Sequence, residues 1–323
     1  MVPLTTVGAI MLVLLSLLGA ARLAAAPPAG SVPRVGVLVS TSAAVASAPL
    51  EAFRQRLSEL GYVEGQSLAL EYRFAEGRYD RLADLAASLV RLPVDVLVAG
   101  SPSMIRAATQ ATTTIPVVGI GVPTGVFAGL SRPANLTGVA TGAEEIRRTG
   151  QDVLQALLPG VSRLAILWDA HSGTVRRGAM EVGARLTGVR LQALEVQGPH
   201  EFERAVAAAA IARADALIVP GSGLFAMHAS QLAALAQQYR LPTLAPFREF
   251  VEAGCLMAYG PNATDLFRQV ASAVDRLLRG AKPGDLPVEE PARFELAINL
   301  QTARALGLTV PSALLRRAAV VMP

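Results

Sequence analysis

Residues 95–120 read DVLVAGSPSMIRAATQATTTIPVVGI, and this stretch decides the fold. Asp95 to Ala99 is an apolar run of strand length, and Ile115 to Ile120 is another. Between them Pro102 to Ala111 carries a helical pattern, opened by Ser101-Pro102, a pair suited to a helix start. Strand, crossover helix and strand in this order signal a parallel sheet. Working backwards, strand Leu68 to Tyr72 leads into helix Asp80 to Val90, and strand Arg34 to Val39 leads into helix Leu50 to Leu60, ended by Gly61. Working forwards, the rhythm breaks at Ser131 to Gly142 (SRPANLTGVATG), and a second series begins. Helix Glu144 to Leu158 precedes strand Leu164 to Trp168, helix Thr174 to Leu186, strand Arg190 to Val196, helix Glu201 to Ala212 and strand Ala216 to Val219. Helix Leu224 to Tyr239 and strand Thr243 to Ala245 complete that series.

The expected architecture is therefore α/β: two doubly wound parallel-sheet lobes joined by a multi-segment hinge. In the tail, strand Leu256 to Tyr259 and helix Ala263 to Leu278 are read as returning to the first lobe. Strand Phe294 to Ile298 and helix Leu300 to Leu306 follow. This gives lobe 1 as residues 34–139 plus about 250–282, and lobe 2 as 140–249 plus about 290–323. Three crossings are expected, at Leu136 to Gly142, Pro246 to Gly260 and Lys282 to Arg293.

Bulk properties agree with two packed lobes. A chain of 323 residues exceeds what one core usually serves. Hydrophobic residues make up 52% and charged residues 17%, which excludes a largely disordered chain. The net charge of +4 does not point to nucleic acid, because the 29 basic residues, Lys282 the only lysine, are scattered rather than gathered in a stripe with aromatics. Residues 1–26 carry an apolar core, Val7 to Leu18, and a run of small residues ending at Ala26; these are the features of a secretory signal, followed by a linker over 27–33. Cys255 is the only cysteine, so no internal disulfide forms and none stands near the signal to accept a lipid.

In open parallel sheets ligands bind outside the carboxyl ends of the strands, where helix starts present free N–H groups. The residues at those ends are Ser40-Thr41-Ser42, Gly100-Ser101-Pro102-Ser103, Gly121-Val122-Pro123-Thr124, Asp169-Ala170-His171-Ser172, Gly221-Ser222-Gly223 and Pro246-Phe247-Arg248. Small hydroxylic residues and glycines dominate, which suits a small polar ligand, although the same residues also cap helices whatever the function. Nucleophilic catalysis lacks support: His171, His200 and His228 are the only histidines, and Gly221-Ser222-Gly223 lacks the G-x-S-x-G spacing. No H-E-x-x-H helix, C-x-x-C pair, P-loop or dinucleotide fingerprint is present, so no metal and no cofactor is expected. Glu144 and Glu145 at a helix start are accounted for by the helix macrodipole.

Four stretches read together carry a resemblance: AFRQRLSELGYVEGQSLALEYRFAEGRYDRLADLAASLV (52–90), VDVLVAGSPSMIRAATQATTTIPVV (94–118), FREFVEAGCLMAYGPN (247–262) and GAKPGDLPVEEPARFELAINLQTARALGLTVPSALLRRA (280–318). The chain resembles the tryptophan/tyrosine-type family of ABC-transporter substrate-binding proteins, of the type I periplasmic binding protein fold. The resemblance implies a periplasmic, monomeric, non-enzymatic receptor that captures a small molecule, an amino acid or aromatic compound, between closing lobes. Its implied partner is an ABC permease in the inner membrane. Carried over position by position, it implies ligand contacts at Ser40, Thr41, Ser101, Ser103, Thr124, Thr141, Asp169, Ser222 and Phe247. Hydroxyls and helix-start N–H groups would receive a ligand carboxylate, Asp169 an ammonium, and Phe225 or Phe247 an apolar side chain. The chain departs from the family's pattern at Gly121-Val122-Pro123, where Gly-Asp-Pro is frequent, and at Asp169, where Asn is frequent. A periplasmic ligand-sensing module for a membrane receptor, or an enzyme on the same scaffold, are the competing expectations.

Overall fold

The computed structural model describes residues 32–122, 132–171 and 189–323. The expected signal segment, Thr124 and the helix expected over Thr174 to Leu186 lie outside them. In β1 (Arg34–Val39) Val35, Val37 and Val39 enter one core and Leu38 the opposite one. In β3 (Val96–Ala99) Val96 and Val98 likewise oppose Leu97 and Ala99. Such alternation is that of strands covered on both faces. With β2 (Ala69–Phe74), β4 (Val117–Val122) and β5 (Leu136–Ala140) they form a parallel five-stranded sheet, ordered β2-β1-β3-β4-β5. Helix α1 (Ser47–Glu59) lays Leu50, Phe53 and Leu57 on one face. Helices α2 (Leu82–Val90) and α3 (Pro102–Ala111) cover the other with Leu82, Leu89, Met104 and Ile105.

The second sheet comprises β6 (Arg163–Asp169), β7 (Arg190–Val196), β8 (Ala216–Ile218), β9 (Thr243–Ala245), β10 (Met257–Pro261), β11 (Phe294–Asn299) and β12 (Val320–Met322). Their order is β12-β11-β10-β9-β8-β6-β7. Again the faces alternate: Ala165, Leu217, Ala258 and Ala297 enter one core, Leu164, Ala216, Met257 and Leu296 the opposite side. The first side is covered by α5 (Phe202–Ile211), α6 (Gly223–Met227), α7 (Ala229–Gln238) and α8 (Arg248–Glu252). The second is covered by α4 (Ala143–Leu157), α10 (Leu300–Ala305) and α11 (Ser312–Arg317).

Two sequence expectations are corrected here. The strand near Leu256 to Tyr259 does not return to the first lobe: β10 pairs in parallel with β9 and antiparallel with β11. Its Met257 and Ala258 are buried in the second lobe's two cores, so both faces of the strand are claimed there. What returns is α9 (Ala263–Leu278), whose Leu266, Val270, Val274 and Leu277 share the core of Phe53 and Leu57 on α1. The crossings therefore fall at Thr141-Gly142, around Asn262, and along 287–293, while Pro246 to Gly260 stays in the second lobe. The helix expected over Leu224 to Tyr239 is also divided, breaking at His228 (φ −123°, ψ 25°) between α6 and α7.

The crossings are tied together. Glu289 donates its N–H to Gly138 O (2.9 Å) and accepts that of Ala140 (2.8 Å), so the third crossing adds a rung to β5. Asn262 caps α9 by accepting the Asp265 N–H (3.0 Å) and donates to buried Glu295 (2.9 Å). Gly142 is left-handed (φ +65°), and the Phe294 ring fills the space a Cβ would take, a place that only glycine suits. The Tyr259 hydroxyl of β10 donates to Glu145 of α4 (2.8 Å), and hydrogen bonds from Thr149, Tyr259 and Arg148 hold the Glu145 carboxyl down at about 2.

Candidate functional site

The carboxyl ends of the two sheets carry the expected residues, and the fold brings them together in part. Ser40 and Thr41 leave β1 half-buried. Ser101 caps α3, accepting the Met104 N–H (3.4 Å), and its Oγ lies 3.3 Å from that of Ser103, which is buried. Thr141 is exposed at the first crossing, and its methyl group lies beside Gly121 together with the Pro102 ring, linking the crossing to the Ser101 loop. In the second lobe Asp169 ends β6 and is only 2% exposed. One of its carboxylate oxygens accepts the His171 N–H at 3.0 Å, and the His171 ring nitrogen lies at 3.9 Å. Ser222 is buried and caps α6, accepting the Phe225 N–H at 3.2 Å. Phe247, half-buried, packs against the main core of each lobe. Thr124 lies outside the described residues.

Reading strand ends did not single out Tyr79, which the structure sets at the centre of the lobe contact. It follows β2 on a single helical turn, Tyr79–Arg81, and its hydroxyl oxygen accepts the Gly223 N–H at 2.6 Å. Burial, and next the negative charge of Asp169, push the phenol up to about 12. Ser42 donates its N–H to the Met227 sulfur (3.3 Å), and Gly77 faces Leu224 and Met227. The two lobes thus meet along Ser40, Ser42, Gly77 and Tyr79 on one side and Ser222 to Met227 on the other. A signal for Tyr79 did exist: the rule that picked out the ends of β1 and β3 applies equally to the end of β2.

Phe225, an alternative aromatic contact, is 0% exposed and packs with Phe202 at 5.9 Å between ring centroids, which makes it lobe core. Cys255 is buried, and burial raises its thiol to about 11, so it is a packing residue rather than a nucleophile. Among the described residues no group of His, Cys, Asp and Glu is placed to hold a metal ion, and no helix is long and apolar enough to cross a membrane.

Comparison with known proteins agrees with this arrangement. The chain is 21% identical over 267 residues to the tyrosine-binding protein of Clostridioides difficile (strain R20291), covering 81% of this chain and 77% of that protein. Its fold is similar to the ABC domain from Streptococcus pneumonia in complex with L-Trp (TM-score 0.79, 24% identity, 90% of this chain and 100% of that one). It is also similar to the ligand-free, open structure of a substrate-binding protein with adhesive properties from Clostridium difficile (TM-score 0.63, 21% identity, 90% and 99%). The two lobes are those of the type I periplasmic binding proteins. A family model described as ABC transporter substrate binding protein matches residues 34–322, from the first strand to the last, and the chain belongs to that family.

Proposed function

We propose that this chain is the extracytoplasmic receptor of an ABC importer and captures an amino acid, with an aromatic or other apolar side chain, between its lobes. The observation that carries this reading is Asp169, a buried carboxylate at the carboxyl end of β6. In this reading it faces the hydroxyls of Ser40 and Thr41 and the α3 start with Ser101 and Ser103, which stand at strand ends of the other lobe. A carboxylate in one lobe and a helix start with hydroxyls in the other complement the two charges of a zwitterion. Phe247, between the lobe cores, offers a ring to an apolar side chain. Thr124, Thr141 and Ser222 complete the proposed set. The names of the relatives, one tyrosine-binding and one holding L-Trp, support the amino-acid class.

The role in transport adds export and a membrane partner. Residues 1–26 direct the chain out of the cytoplasm and are removed, and the protein acts as a soluble monomer that delivers its ligand to a permease. N-terminal sequencing of the periplasmic fraction should begin between Ala21 and Pro27; an intact Met1 on membrane-bound material overturns that step. The ligand class is tested by native mass spectrometry of protein purified without refolding, followed by calorimetry with L-tryptophan and L-tyrosine. Binding of either at micromolar or tighter affinity supports the reading. Turnover of the bound molecule, or binding of neither amino acid, overturns it in favour of an enzyme or of a receptor for another ligand class.

A further inference from the structure

Tyr79 is a residue of the first lobe whose hydroxyl is engaged by the second. Its oxygen receives the Gly223 N–H at 2.6 Å. Its ring packs on the α2–α3 core of the first lobe and on the main core of the second. The partner surface is shaped for close approach: a Cβ on Gly223 would lie 2.9 Å from Ser40 Cβ and Oγ and 3.1 Å from Ser40 O. Beside it runs the Ser42 N–H bond to the Met227 sulfur at 3.3 Å. These contacts join the lobes directly, through atoms of the protein alone. They also use up the Gly223 amide, while Ser222 Oγ caps the Phe225 N–H within its own lobe.

We propose that Tyr79 is an inter-lobe latch, a positioning residue whose phenol docks on the Ser222–Leu224 turn and sets the closed fraction of the protein without touching the bound molecule. The inference rests on the reading of the cleft as a ligand site only where affinity is concerned; the latch itself is a property of the two lobes. Removing it lowers the population of the binding-competent form, and apparent affinity falls in proportion for every ligand. A contact residue would instead alter the ratio between ligands.

The test uses the full chain with nitroxide labels at Q110C on α3 and Q238C on α7, both exposed and in different lobes. Two variants loosen closure by different routes: Tyr79→Phe deletes one hydroxyl and keeps the ring, and Gly223→Ala adds a methyl group that collides only when the lobes meet. Inter-lobe distances in protein without added amino acid should broaden and lengthen in both. Calorimetry with L-tryptophan and L-tyrosine should show roughly a three- to tenfold loss for Tyr79→Phe. That loss should be the same factor for both amino acids, with the wild-type ratio kept. Distances unchanged in both variants overturn the latch, and so does a changed ratio in Tyr79→Phe, which would make Tyr79 a ligand contact. If neither amino acid binds wild-type protein yet the distances still lengthen, the latch stands and only the ligand class proposed above fails.

Discussion

In the function proposed above, Asp169 concentrates the recognition chemistry in one side chain. At 2% exposure an ionised carboxylate needs compensation, since burying an unmatched charge is costly. The His171 N–H supplies part of it from within the lobe, and in the proposed reading the ligand ammonium is a further partner. Asp169→Asn keeps the shape and deletes the charge. It should weaken an amine-bearing ligand by ~2–5 kcal/mol, the range for truncating one member of a buried charge pair. Equal calorimetric affinity in wild type and variant would remove Asp169 from the site. Its place at a strand end was legible in the sequence, as were the places of Ser40, Ser101 and Ser222. Tyr79 follows the end of β2, where the same rule applies, but AEGRY (75–79) has the composition of a polar surface turn, which masks it. Nothing local shows that the other lobe covers it.

Secondary structure was most legible where each strand pairs with neighbours brought in by a crossover. Four strands of the first lobe and the order of α1 to α3 follow from such units, and their capping and turn residues are local. The fate of β10 was hidden for the opposite reason: an apolar strand suits any sheet with a free edge, and the choice was made by β11, which arrives more than thirty residues later and pairs antiparallel with it. The helix break at His228 was hidden too, since both halves keep an apolar pattern. The hinge depends on single residues in these connections. Gly142→Ala places a Cβ in a left-handed position already filled by the Phe294 ring. It should cost at least ~1–3 kcal/mol of stability, a typical figure for local backbone strain, measured by urea unfolding. A variant as stable as wild type would show that the crossing relaxes freely.

For the molecule as a whole, closure should respond to alkali through Tyr79. The phenol is raised from its ordinary value of 10.0 to about 12 by burial and by Asp169, so the closed form favours the protonated state. The charge that acts on it is that of Asp169, on the second lobe. The latch contribution is therefore fully present below pH 10 and is lost as the pH rises through 10 towards 12. Scattering should show the radius of gyration rising over that window in wild type and much less in Tyr79→Phe; identical curves would refute the link. A different consequence follows from α9, the one helix among the described residues that crosses back. Tyr62 meets Asp275 across 213 residues of sequence, and Phe53 and Leu57 share their core with Leu266 to Leu277. Residues 32–142 alone should therefore stay protease-sensitive and gain order only when a peptide spanning 262–286 is supplied. Contacts this distant are slow to form. As the chain emerges from the ribosome, the half made first is the half that finishes folding late, and its apolar helix face stays open to chaperones until most of the second half has been synthesised.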